Sequence, residues 1–137
     1  MRLKKSISIF LSLYPHFLEP EWARDLYEVF LQKVPWQHDP IKVFGKTYMQ
    51  PRLTSLHGTT RQSYGYSNIR MHPKPMIPEM VDLLKRIAQV DTANFNIVLL
   101  NLYCTINWGV IIIKFYFYNF LQHKWPLYTY IYSSYLA

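Results

Sequence analysis

From Ser6 to Leu13 serine alternates with Ile7, Ile9, Leu11 and Leu13, the period-two pattern of a half-buried strand. Glu19-Pro20-Glu21 then places proline and acids where the first turn of a helix favours them. Trp22, Leu26, Val29, Phe30 and Val34 follow at three- and four-residue steps, which predicts one apolar stripe on a helix ended by Pro35. Trp36 to Pro40 reads as a loop, and Ile41 to Tyr48 as a hairpin bent near Gly45. A short strand is expected over Arg52–Gly58 and a polar turn over Thr59–Ser63. Pro75-Met76-Ile77-Pro78 opens a second helix, with Met80, Leu83, Leu84 and Ile87 on its buried face and Lys85 and Arg86 near its end. The apolar, β-branched run Phe95–Tyr103 suits a central strand.

After Cys104 the pattern changes. Asp91 is the last acid in the chain, and residues 105–137 contain eleven aromatics, among them Phe115-Tyr116-Phe117-Tyr118. Ile, Asn, Lys, Phe, Tyr and Leu, whose codons are rich in A and T, dominate this stretch, and no glycine follows Gly109. The expected division is therefore residues 1–104 as one domain portion and 105–137 as a divergent tail, read as translated non-coding sequence or else as a real strand-rich or membrane-associating tail.

Composition narrows the functional classes. With 137 residues, half of them hydrophobic, the chain supports one domain with a core and is not disordered by default. A formal charge of +7 favours a polyanionic partner, since Lys and Arg displace counterions from a phosphate backbone. Cys104 is the single cysteine, so the chain has no intramolecular disulfide and no zinc cluster, and a small buried apolar role is expected for it. The start lacks a small-residue cleavage site, and Gly109–Leu121 is short for a span and interrupted by Lys114, so neither end reads as a membrane helix. A glycine-rich phosphate loop, a nucleophile elbow and a paired-carboxylate motif are all absent.

The chemistry-bearing residues lie in one order: Val43-Phe44-Gly45-Lys46, Gln50-Pro51-Arg52, Tyr64-Gly65-Tyr66-Ser67, Pro73-Lys74-Pro75, and Phe95 to Tyr103 ending in Asn101-Leu102-Tyr103. On pattern alone Phe44 is open between an exposed wedge and a core position, and Tyr64 and Tyr66 between a base-stacking pair and a half-buried strand pair. Taken together, over about residues 14–104, these segments resemble the AlkB family of iron(II)/2-oxoglutarate dioxygenases, in particular its duplex-DNA-repairing branch.

That resemblance implies an α+β fold: the N-terminal part of a double-stranded β-helix (jelly roll), with helices, a nucleotide-recognition lid and an incomplete core. It implies that Phe44 is a wedge inserted where a lesion base is flipped out, with Val43 and Gly45 as its shoulders and Lys46 on phosphate. Arg52, Tyr64, Tyr66 and Ser67 would complete the DNA contacts. Asn101 and Tyr103 would hydrogen-bond 2-oxoglutarate. It further implies oxidative demethylation of alkylated DNA bases, duplex DNA as partner, no membrane, a monomer, and a nuclear or other DNA-containing compartment.

Two parts of the family pattern are missing. The histidines are His16, His38, His57, His72 and His123, and none begins the His-x-Asp pair that binds iron. The last arginine is Arg86, so the late arginines that pair with the 2-oxoglutarate carboxylate are also absent. No catalytic or metal-binding residue is therefore assigned, and the chain is expected to lack oxidative activity. Its alternatives are a non-catalytic nucleic-acid-binding module and a non-functional truncation.

Overall fold

The computed structural model describes residues 5–8, 11–13, 17–59, 64–66, 69–90, 95–104, 108–116 and 128–135. They divide into two units, Met1–Lys33 and Val34–Ala137. In the first, β1 (Lys5–Ser8) and β2 (Leu11–Leu13) pair antiparallel, Lys5 opposite Leu13 and Ser6 opposite Ser12. The single strand expected over Ser6–Leu13 is thus two short ones, because period-two alternation is the same in a strand and in a hairpin made from it. Helix α1 (Pro20–Lys33) starts at the predicted proline and stops before Pro35. It buries Ala23, Leu26, Tyr27 and Phe30, while Trp22 and Val29 are half-buried. The buried stripe is therefore rotated slightly from the one the largest side chains suggest.

The second unit begins with a hairpin, β3 (Pro40–Val43) and β4 (Lys46–Met49), paired from Pro40↔Met49 to Val43↔Lys46. Next come β5 (Leu53–Gly58), the hairpin β6 (Tyr64–Tyr66) and β7 (Ile69–Met71), and helix α2 (Pro78–Ile87). Pro78 occupies the first turn of α2, Lys85 and Arg86 its last, and Met80, Leu83 and Ile87 are buried. Leu84, predicted on the buried face, is half-exposed beside it. Strands β8 (Ile97–Cys104), β9 (Trp108–Tyr116) and β10 (Tyr128–Tyr135) complete an antiparallel sheet in the order β10-β9-β8-β5. The class is α+β, with antiparallel sheets. Among the described residues no helix is long and apolar enough to cross a membrane. The apolar run from Gly109 lies in strand β9 as far as Tyr116.

Register fixes the two faces of this sheet. Leu102, Leu100 and Val98 of β8 share a face with Ser55 and His57 of β5 and with Ile111, Ile113 and Phe115 of β9, and every one of these is buried. Burying each large aliphatic among them contributes about 1.5–3 kcal/mol. On the opposite face Leu56, Ile97, Leu99 and Tyr116 form an apolar cluster with Met71 at one end, and the other end is polar. Cys104, expected to be buried, is exposed, because β8 runs out of the core over its last two residues.

Gly58 and Gly45 are constrained differently. A Cβ on Gly58 would meet the Asn96 carbonyl oxygen at 2.9 Å and Pro73 Cβ at 3.3 Å, whereas Gly45 has open space but a φ of +78°. Gly58→Ala is expected to cost about 1–3 kcal/mol through steric overlap, and Gly45→Ala about 1–2 kcal/mol through backbone strain alone. Urea unfolding of the two variants measures both. A Gly58→Ala midpoint equal to wild type would show that Asn96 can move aside freely.

Candidate functional site: an exposed finger and a polar strip

The β3–β4 hairpin turns through Phe44 and Gly45, both with positive φ (49° and 78°), as a two-residue type I′ turn requires. Asparagine or glycine usually fills the first of these positions. A phenylalanine there costs on the order of 1–3 kcal/mol, and its ring is fully exposed at 102%. Val43, Tyr48 and Met49 are also exposed, as are Lys42 and Lys46. The core alternative for Phe44 is excluded. Strain and apolar exposure at one tip, between two lysines, form a surface suited to an apolar wedge on a polyanion.

At the base of this finger lies a chain of hydrogen bonds. His38 Nε2 donates to the Gln50 carbonyl at 2.7 Å, and Gln50 Nε2 donates to the Asp39 carbonyl at 3.1 Å. Arg52 Nε donates to Gln50 Oε1 at 3.1 Å, and Arg52 Nη1 donates to the Tyr103 hydroxyl at 3.2 Å. Gln50 is buried, so its amide locks the hairpin base to the arginine. Arg52, predicted among the DNA contacts, is thus joined to Tyr103, predicted on the co-substrate.

Tyr103 belongs to the polar end of the sheet face described above. Two residues back, Asn101 lies opposite Thr54 of β5 and Ile112 of β9. Asn101 and Thr54 are each 1% exposed. Neither the Asn101 amide oxygen and nitrogen nor the Thr54 hydroxyl has a hydrogen-bond partner. A buried polar group without a partner costs about 1–3 kcal/mol, so this cross-strand pair is a costly feature of the sheet. Of the other predicted contacts, Tyr64 and Tyr66 fall on β6, with only their backbone described, and Ser67 lies outside the described residues. Thr54 carries no sequence signal of its own; the register of β5 against β8 is what puts it opposite Asn101.

Metal ligation is a separate question. Among the described residues no three of His, Cys, Asp or Glu come together in a way that could hold a metal. The most buried of the described histidines faces away from the polar strip. His57 (1% exposed) donates from Nδ1 to the Pro75 carbonyl at 2.8 Å, which leaves Nε2 to accept from the Ser55 hydroxyl at 2.9 Å. That is the arrangement of a nucleophile and its base, yet Ser55 is 0% exposed and no substrate reaches it. Its role is structural. Lys74 N donates to the Leu56 carbonyl and Gly58 N to the Lys74 carbonyl, each at 2.9 Å, so His57 clamps the segment before α2 onto β5.

No protein-family model matches the chain. Among curated proteins, 63 residues are 36% identical to DNA oxidative demethylase ALKBH2 of Bos taurus, covering 46% of this chain and 23% of that protein. The proteins of the same name from Mus musculus and Homo sapiens are 33% identical over 63 residues, which cover 26% and 24% of them. The matched stretch spans about a quarter of the length of these relatives. These partial matches support a relationship to the AlkB family.

Burial holds the His57 imidazole below its ordinary value of 6.5, against the opposing pull of the Pro75 carbonyl, and the Lys74 charge lowers it further. The unfolded chain therefore takes up this proton first. Stability from His57 is present above pH 6.5 and is lost as pH falls below it towards the folded value. Urea midpoints between pH 7.5 and 5 should fall more steeply for wild type than for His57→Gln. Parallel curves would remove His57 from the acid sensitivity of the fold.

Proposed function

We propose that this chain is a lesion-recognition unit of AlkB type, which engages duplex DNA through Val43, Phe44, Gly45 and Lys46 and belongs to oxidative DNA dealkylation repair. The observation that carries the reading is Phe44, a strained residue wholly exposed at the tip of a hairpin flanked by lysines. An apolar side chain inserted into a base stack costs a few kcal/mol of unstacking and holds open the gap left by a flipped base. Tyr64, Tyr66 and Ser67 act in this reading as the lid over that base, and the antiparallel sheet as the first part of a jelly roll. Its setting is the nucleus or another DNA-containing compartment, as a monomer.

Asn101 and Tyr103 are the co-substrate side of the same unit. The unpartnered Asn101 amide supports a fit to 2-oxoglutarate, whose oxidative decarboxylation would supply two electrons for the reduction of dioxygen. Iron(II) does not fit the donors among the described residues, where no cluster offers two histidines and a carboxylate, and the sequence holds no His-x-Asp pair. No oxidative step is assigned to them.

Two experiments test this function. Binding to duplex oligonucleotides should be salt-dependent and stronger for a mismatched or alkylated duplex. Phe44→Ala should lower that preference about tenfold, while Lys46→Ala should weaken all sequences alike and reduce the salt slope by about one. An unchanged preference in Phe44→Ala would remove the wedge. Separately, the purified chain with iron(II), 2-oxoglutarate and methylated DNA should release no succinate above a no-protein blank. Metal-dependent succinate would overturn the inactive reading.

A further inference from the structure

The finger has two faces, and each carries a lysine. Strand register sets Val43 opposite Lys46 and Ile41 opposite Tyr48, which places these four on one face. Lys42 lies opposite Thr47, and Pro40 opposite Met49, on the other. Lys42 and Lys46 are both exposed, in adjacent rows of the ladder beside the turn that carries Phe44. Between Asp39 and Glu79 the sequence has no acid, so the hairpin itself offers neither lysine a carboxylate. Of the five large hydrophobic side chains exposed among the described residues, four belong to this hairpin: Val43 and Tyr48 on one face, Met49 on the other, and Phe44 at the tip. A hairpin that packed one face on the protein would be apolar on that face alone. This one is cationic and apolar on both. A duplex groove has the matching arrangement, with base edges at its floor and a phosphate backbone along each wall, about 6 Å apart in the minor groove and about 12 Å in the major, which admits a two-stranded ribbon. A single strand offers only one such wall.

We propose that the finger grips both strands of a duplex at once, with Lys46 on one phosphate backbone and Lys42 on the other. The inference rests on the wedge reading and deepens it: Lys42 becomes the residue by which the finger distinguishes a duplex from a single strand. With Phe44 leading into the base stack, the plane of the hairpin runs along the groove and its faces turn to the two walls. Lys46 and Tyr48 then lie along one strand, and Lys42 and Met49 along the other. Each lysine displaces counterions from its own backbone. Two opposed phosphate contacts fix position without reading sequence, and so hold Phe44 over the step that it opens.

Salt titrations of the full chain with a mismatched duplex, and with one of its strands alone, test this. On the duplex, Lys42→Gln and Lys46→Gln should each lower the slope of log K against log salt by about 0.9, and the double variant by about 1.8. On the single strand the double variant should lose no more than one single variant does, about 0.7. Lys42→Arg, which keeps the charge, should keep the wild-type duplex slope. Lys85→Gln, exposed on α2 and outside the finger, removes the same charge and should leave both slopes unchanged. A duplex slope unchanged in Lys42→Gln, with the mismatch preference still dependent on Phe44, would overturn the two-strand grip and leave the wedge standing. Losses that add on the single strand as they do on the duplex, or an equal loss in Lys85→Gln, would overturn the grip as well. Absence of salt-dependent duplex binding by the wild-type chain would overturn grip and wedge together.

Discussion

Strand β8 bonds along both edges, to β5 from Leu53↔Leu102 to Gly58↔Ile97 and to β9 from Ile97↔Tyr116 to Cys104↔Gly109. A strand paired on both sides satisfies its backbone completely and leaves its side chains no choice but one face or the other. A slip of one residue would move Leu100 and Leu102 to the other face and set Asn101 and Tyr103 among Ile111, Ile113 and Phe115. The polar strip and the apolar face are therefore enforced by one register. The six consecutive buried residues Ile97–Leu102 hold that register, because each large apolar side chain among them would lose about 1.5–3 kcal/mol on exposure.

The finger has the opposite character. Its strands are exposed along both faces apart from a half-buried Ile41, and its turn carries an unfavourable φ at Phe44. A hairpin of two short strands is marginal by itself, so its geometry must be held from its base. Gln50 supplies that hold by accepting from Arg52, donating to the Asp39 carbonyl and accepting His38 on its own carbonyl. The same arginine reaches Tyr103. The exposed finger and the polar strip are consequently joined by one buried amide and one guanidinium.

Much of this was legible in the sequence where a single element had a single strong signal. The proline-led helices, the Gly45 hairpin and the central strand all follow from turn chemistry and periodicity, and they are observed. What escaped depends on partners distant in sequence. Nothing local to Thr54 distinguishes it from any strand threonine until β5 is set in register with β8. The hydrogen bond from Arg52 to Tyr103 has no local signature because it crosses 51 positions. Cys104 read as buried because cysteines usually are, while its exposure comes from where β8 leaves the core. The doubling of β1 and β2 escaped because alternation carries no information about a reversal.

The change of composition after Cys104 has a different standing from these. It is sharp in the sequence, with no acid anywhere beyond it, yet strand pairing crosses it without interruption from β8 into β9. Pairing requires only backbone and alternation. The segment Gly109–Tyr116 has both: Ile111, Ile113 and Phe115 point one way, and Val110, Ile112 and Lys114 the other. A stretch without acids has no internal partner for its lysines. Lys114, half-buried opposite Leu99, therefore finds anionic neighbours only from outside its own strand.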